Sequence, residues 1–136
     1  MRRSAGLARW LAGSAAALML TAAQQPSPFA QAKAGDWELT GIPGVKANHQ
    51  CIGDMLSLAR YEHRGKSCSS KVISQNATKA VVEYTCGGAG FGHSELELIT
   101  PRNLRVSTQG ISDGLPFNYV LQARRLGDCP ATASSH

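Results

Sequence analysis

Three short runs of this 136-residue chain carry residue types that perform chemistry in other proteins. Gly110-Ile111-Ser112-Asp113-Gly114 has the spacing of a nucleophile elbow, in which a serine stands on a sharp strand-to-helix turn above a large α/β sheet. Here Leu115-Pro116 and a strand-like run follow where a helix is required, so the pentapeptide reads as a turn rich in Ser, Asp and Gly. Residues 87–94 (GGAGFGHS) carry the glycines of a phosphate loop, with His93 where the lysine belongs. Without that lysine and a following helix, the charge and the dipole that hold a phosphate are both missing. A flexible hairpin connection is expected there. His93-Ser94-Glu95 has the H-x-E of zinc deaminases, but no P-C-x-x-C follows. His93 and Glu95 fall on one solvent face with Glu97, where only a surface metal site is conceivable, and no metal or other cofactor is expected. His49, His63 and His136 fall in loops or the tail. Asn76-Ala77-Thr78 has the pattern of a glycosylation acceptor at a turn, expected to stay unmodified in a bacterial exported protein. No catalytic residue is assigned, and a hydrolase using Ser112 is kept as the enzyme-class alternative.

The remaining chemistry is that of four cysteines, Cys51, Cys68, Cys86 and Cys129. The stretch 68–86 (CSSKVISQNATKAVVEYTC) reads as one β-hairpin with a cysteine at each open end. A turn centred on Ala77 sets Cys68 opposite Cys86, Lys71 opposite Glu83, Val72 opposite Val82 and Ile73 opposite Val81. Apolar residues then face apolar ones and opposite charges meet. A slip of one residue would reverse every face, so the number of matched pairs argues for this register. It selects a Cys68–Cys86 disulfide and leaves Cys51–Cys129. In the chain-entropy model the two closures are worth about 3 and 4.5 kcal/mol. No two cysteines have the spacing of a zinc knuckle.

Disulfides require an oxidising compartment, and the N-terminus supplies the route to one. Met1-Arg2-Arg3 and Arg9 make a basic start, and residues 10–20 (WLAGSAAALML) form an apolar run too short to span a bilayer. Cleavage is expected after Ala23, with Ala32 as the alternative, and no cysteine lies near either position for a lipid anchor. No other run is apolar enough to span a membrane. The whole chain carries a net charge of +5. Loss of Arg2, Arg3 and Arg9 with a signal over residues 1–23 leaves eleven basic against nine acidic residues, a net charge of +2. That balance, with no Lys/Arg run, excludes nucleic acid as an obvious partner. Residues 24–136 are enough for one domain with a modest core.

Taken in order, residues 24–34 are a flexible lead-in and 36–40 (DWELT) the first strand, with Trp37 and Leu39 facing the core. Residues 52–61 (IGDMLSLARY) give the only helix, with Asp54 near its N-terminus and His63-Arg64-Gly65-Lys66 closing it. Beyond the cysteine hairpin, residues 93–99 and 104–109 alternate. A turn on Pro101 sets Leu98 opposite Leu104, Leu96 opposite Val106 and Glu97 opposite Arg105, a second hairpin with one apolar face. Residues 111–114 turn the chain into a last strand at 117–126, and nothing orders 131–136. The expected fold is mainly β: an antiparallel meander or strongly curved sheet of about six strands with one short α-helix, disulfide-stapled, in a single domain over residues 35–130.

The order of motifs resembles a known family. An export signal precedes Gly35-Asp36-Trp37-Glu38, Cys51 precedes a short helix, a cysteine-bracketed hairpin ends at Cys86, and Arg125-Leu126-Gly127-Asp128-Cys129 closes the chain. This is similar to the domain-of-unknown-function 3617 family of small exported bacterial proteins. The chain departs from that pattern at Ala34, where family members usually carry proline. The resemblance implies a periplasmic or secreted location and gives Gly35, Trp37, Glu38 and Gly127 a structural role; it implies no activity, cofactor or catalytic residue.

The functional expectation is a non-enzymatic binding or interaction module of the periplasm or cell envelope, its partner an envelope protein or a small apolar ligand. A carrier or sensor is the alternative, with a β cup lined by Trp37, Val72, Val82, Tyr84, Leu96, Leu98, Val106, Phe117 and Tyr119.

Overall fold

The computed structural model describes residues 16–18 and 26–131. Apart from residues 16–18, the expected export signal at 1–23 lies outside the described residues, as does the tail at 132–136. The described chain builds one open antiparallel sheet of seven strands: β1 (Gly35–Thr40), β2 (Asn48–Ile52), β3 (Ser69–Gln75), β4 (Lys79–Thr85), β5 (Gly90–Thr100), β6 (Asn103–Ser112) and β7 (Leu115–Gly127). Their spatial order is β2-β1-β7-β6-β5-β4-β3. The meander from β3 to β7 thus runs as expected, and the N-terminal hairpin docks on β7.

Short helices cover one face. Alternation along the strands directs Trp37, Leu39, Val82, Leu96, Leu104, Val106, Leu121 and Ala123 to that face, where all are buried. Against them pack α1 (Pro28–Gln31), α2 (Leu56–Ala59) and a single 3₁₀ turn (Tyr61–His63). Burial of these side chains, rather than helix propensity, holds elements of four residues in place.

Three local expectations are corrected. The seventh strand is β2, and the helix expected from residue 52 begins at Leu56 instead. Gly53 and Asp54 end β2, and the Asp54 carboxylate accepts the Leu56 backbone N–H at 2.9 Å, starting the helix late. Second, the lead-in is partly ordered. Ser27 accepts the Ala30 N–H at 3.2 Å and Pro28 takes the first helical position, so α1 forms with a capping residue and a pre-set φ. Third, the cysteine hairpin keeps Lys71 opposite Glu83 and Val72 opposite Val82, but Ser74, not Ile73, faces Val81. A bulge at Ile73 absorbs the offset, because the turn is set by Asn76, whose side chain accepts the Thr78 and Lys79 N–H groups, each at 2.9 Å. The second hairpin has the expected register, with Leu98 opposite Leu104, Leu96 opposite Val106 and Glu97 opposite Arg105.

Both disulfides join as the hairpin register required, Cys51 to Cys129 and Cys68 to Cys86. Around Cys129 the two terminal motifs interlock. The Arg125 guanidinium donates to the Ala34 carbonyl at 2.9 and 3.1 Å and to Asp128 at 2.7 Å. A side chain on Gly35 would occupy the space of the Arg125 guanidinium and the Gly127 carbonyl. Gly35 is therefore glycine because Arg125 lies across it. Asp36 pairs with Gly127 and Trp37 with Arg125, so β7 bulges at Leu126. Trp37 is fully buried, its Nε1 donating to the Lys33 carbonyl at 3.1 Å.

Candidate functional site

The nine residues of the expected cup do not enclose one cavity together. Trp37, Val82, Tyr84, Leu96, Leu98, Val106 and Tyr119 are buried under the helices, Phe117 packs at their margin, and Val72 stands half-exposed on edge strand β3. An open groove lies on the opposite, uncovered face of the sheet.

Its construction follows from one row of residues across four strands. Tyr84 of β4 pairs with Gly92 of β5, Gly92 with Gly110 of β6, and Gly110 with Phe117 of β7. The row faces the helices, and the two glycines leave room for the aromatic rings beside them. A Cβ on Gly92 would strike the Tyr84 ring, and one on Gly110 would strike the Phe91 carbonyl and come 3.0 Å from the Phe117 ring. His63 fills the space between the rings, edge-on to both, with centroids 5.4 Å from Tyr84 and 5.8 Å from Phe117.

His63, expected in a loop, is thus among the most deeply buried polar residues, at 3% exposure. Its Nε2 lies 3.0 Å from the Ala89 carbonyl and 3.1 Å from the Ile111 carbonyl. Carbonyls only accept, so Nε2 donates to them, and Nδ1 meets the Tyr84 hydroxyl at 3.1 Å. Burial pushes the Tyr84 phenol up to about 12, a contact with Thr108 opposing the shift and Glu62 adding to it. Ser94 extends the polar core, donating to the Ala59 carbonyl and lying 2.8 Å from Thr108 Oγ1. Tyr119 donates to Glu62 at 3.0 Å; burial first, and then that carboxylate, pushes its phenol far up. Nothing in the sequence marks His63 for this position beyond the three basic residues around it.

On the uncovered face, two rows flank the glycines. Thr85, Phe91, Ile111 and Pro116 are paired in succession and form an apolar wall. Glu83, His93, Gln109 and Asn118 are paired likewise and form a polar wall. Between them is an open groove of about 600 Å³ floored by Gly92 and Gly110. Phe91 is 52% exposed at its rim. His93 Nδ1 lies 3.5 Å from Glu83, so an acceptor, a titratable ring and two amides share one wall. Such a groove suits a flat ligand with one apolar and one hydrogen-bonding edge, and its volume falls in the range of small-molecule sites.

The other sequence motifs are placed as follows. Ser112 precedes a two-residue turn, Asp113-Gly114, in which both residues have positive φ, 48° and 81°. That is the Asp-Gly hairpin turn that matches strand twist, and it leads into β7 rather than a helix. The histidine reaching this hairpin, His63, spends Nε2 on backbone carbonyls. Residues 87–89 form a 3₁₀ turn and β5 begins at Gly90. Glu95 pairs with Lys79 at 3.3 Å instead of joining His93. Among the described residues, no group of three or more His, Cys, Asp or Glu could hold a metal ion. Gly35, Trp37, Glu38 and Gly127 gather at the β1–β7 seam, where Glu38 accepts from Arg124 at 3.1 Å and lies 3.8 Å from His49.

No protein-family model matches this chain, and no curated protein matches it.

Proposed function

We propose that this is an exported binding module of the periplasm or cell envelope, a member of the domain-of-unknown-function 3617 family, acting through the groove over Gly92 and Gly110. The observation that carries the reading is the pairing of an apolar wall (Phe91, Ile111, Pro116) with a polar one (His93, Gln109, Asn118) across a side-chain-free floor. Elsewhere on the uncovered face Glu38 is paired with Arg124 and Lys79 with Glu95. The occupant is a small ligand, or an apolar side chain of an envelope protein, with a planar apolar part and a hydrogen-bonding edge. A carrier or sensor role is the second reading, favoured by the exposed Phe91 and transferred from the expected cup to this groove.

Two disulfides support an oxidising compartment, and no helix among the described residues is long and apolar enough to cross a membrane. Burial of Pro28 and Ala32 in the core favours signal cleavage after Ala23 over cleavage after Ala32. A cut after Ala32 would strip α1 from the core.

A fragment screen by ¹⁵N–¹H correlation spectroscopy, using indoles, phenols and heteroaromatic amides, tests the site. Binders are expected to shift the Gly92 and Gly110 amides, and Phe91→Ala to abolish those shifts without lowering the melting temperature. Binders that move only other amides, or binding indifferent to Phe91→Ala, would remove the groove from the proposal.

A further inference from the structure

On the helix-covered side, away from the groove, a second cleft of about 400 Å³ opens beside the 3₁₀ turn, walled by Arg60, Tyr61, Arg64 and Lys66, with Gln50 and Ser57. We propose that this cleft is an anion site for a phosphate-bearing ligand.

The local sequence explains why three cations converge. Residues 60–66 read RYEHRGK. Gly65 has φ +77° and the Lys66 N–H donates to the His63 carbonyl at 3.1 Å, a tight turn whose third position demands the left-handed region. The turn folds Lys66 back beside Arg64. His63, anchored in the core by Tyr84 and two carbonyls, holds the base of this turn rigid.

The cations are positioned but not neutralised. Arg60 donates to Ser70 Oγ at 3.3 Å, and Arg64 donates to the Tyr61 carbonyl at 3.3 Å with its guanidinium 4.7 Å above the Tyr61 ring. Each of these partners is neutral, so both guanidiniums keep their charge and most of their five N–H donors. Among the described residues, the carboxylates that form ion pairs do so with His49, Lys79, His93, Arg124 and Arg125, none of which lines this cleft. Glu62, the one acid between residues 55 and 82, is turned to the Tyr119 hydroxyl. Three like charges around one cleft repel until a counter-charge sits among them. A phosphate, with up to two negative charges and oxygens for the planar guanidinium donors, meets that requirement better than a single carboxylate. The volume leaves room for the group that bears the phosphate, a soluble ester or a lipid.

The test uses the mature protein, pyrophosphate and vesicles. Pyrophosphate, titrated by NMR, is expected to shift the Tyr61, Arg64 and Lys66 amides. Flotation with vesicles of phosphatidylglycerol and phosphatidylcholine, against phosphatidylcholine alone, reads the lipid source. The exposed pair Arg64→Gln/Lys66→Gln should weaken whichever binding is seen by about tenfold or more, as expected for two lost charge-assisted contacts. The control Lys46→Gln/Arg105→Gln removes the same charge elsewhere and should leave binding within about twofold. Pyrophosphate binding assigns a soluble phosphate ligand, and vesicle binding alone assigns a lipid headgroup. Binding of neither overturns the proposal, as does binding weakened equally by the control pair. Fragment binding at the Gly92–Gly110 groove is read from different amides, so the two sites stand or fall separately.

Discussion

Truncation of Trp37 offers the most direct measure of how the ends of this domain are held. Its indole is 0% exposed, lies on the β1 row that pairs with Gln50 and Arg125, and ties the lead-in to the sheet through Lys33. Trp37→Ala removes the whole ring system from a site with no solvent access. Loss of transfer free energy and the residual cavity together cost about 3–5 kcal/mol. The Lys33 carbonyl also loses its donor, adding up to about 1 kcal/mol where water cannot replace it. A domain of this size has a total stability of about 5–15 kcal/mol, so the variant forfeits about a fifth of it or more. Trp37→Phe keeps most of the apolar volume and gives up only the N–H and part of the ring, so less than about half that loss is expected. Urea unfolding followed by far-ultraviolet circular dichroism should show a lower midpoint for Trp37→Ala with an unchanged slope. A loss below about 1 kcal/mol would refute the reasoning, because no fully buried tryptophan that closes a seam is so cheap to remove. A Trp37→Phe loss equal to that of Trp37→Ala would refute it differently, assigning the seam to the hydrogen bond rather than to packing.

Three further outcomes follow from the same structure. Cys51→Ser/Cys129→Ser opens a loop of 78 residues and should cost about 4.5 kcal/mol, while Cys68→Ser/Cys86→Ser, separated by 18, should cost about 3 kcal/mol, both read by denaturant titration. Gly92→Ala drives a methyl into the Tyr84 ring and should cost about 1–3 kcal/mol, part of which Tyr84→Leu restores in the double variant. Tyr84 stays protonated in the folded state up to about pH 12, while in the unfolded chain it ionises near pH 10. In that window the unfolded state binds fewer protons, so stability should fall as pH rises from about 10 to 12, and Tyr84→Phe should make the decline shallower, Tyr119 supplying the part that remains.

The strand pairs that were legible in the sequence are those with two independent constraints. The register from Leu98 to Leu104 followed from alternation and from Pro101 at the turn, and the structure reproduces it. The disulfide pairing followed from Lys71 facing Glu83 and Val72 facing Val82, both of which hold. Ile73 failed because a side-chain cap, Asn76 on the Thr78 and Lys79 amides, outweighs one apolar pair and shifts the turn. β2 was illegible because Asn48-His49-Gln50-Cys51 has no apolar alternation. It is an edge strand, paired on one side by β1 and closed by Cys51, and needs little burial of its own. His63 was illegible for the opposite reason: its place depends on rings from β4 and β7, far away in the chain.

The glycines that suggested catalysis turn out to explain the candidate site. Gly92 belongs to the loop that resembled a phosphate cradle, and Gly110 to the run that resembled a nucleophile elbow. Neither motif forms, yet the two residues meet across β5 and β6. Each is needed on the helix side: a Cβ on Gly92 would meet the Tyr84 ring, and one on Gly110 the Phe91 carbonyl and the Phe117 ring. On the other side, between Phe91 and His93, the row shows only backbone, because alternation directs its side chains to the helix face. Filling either glycine should therefore disturb the cluster under the helices, whereas changes at the rim, such as Phe91→Ala, should alter binding and leave the core intact.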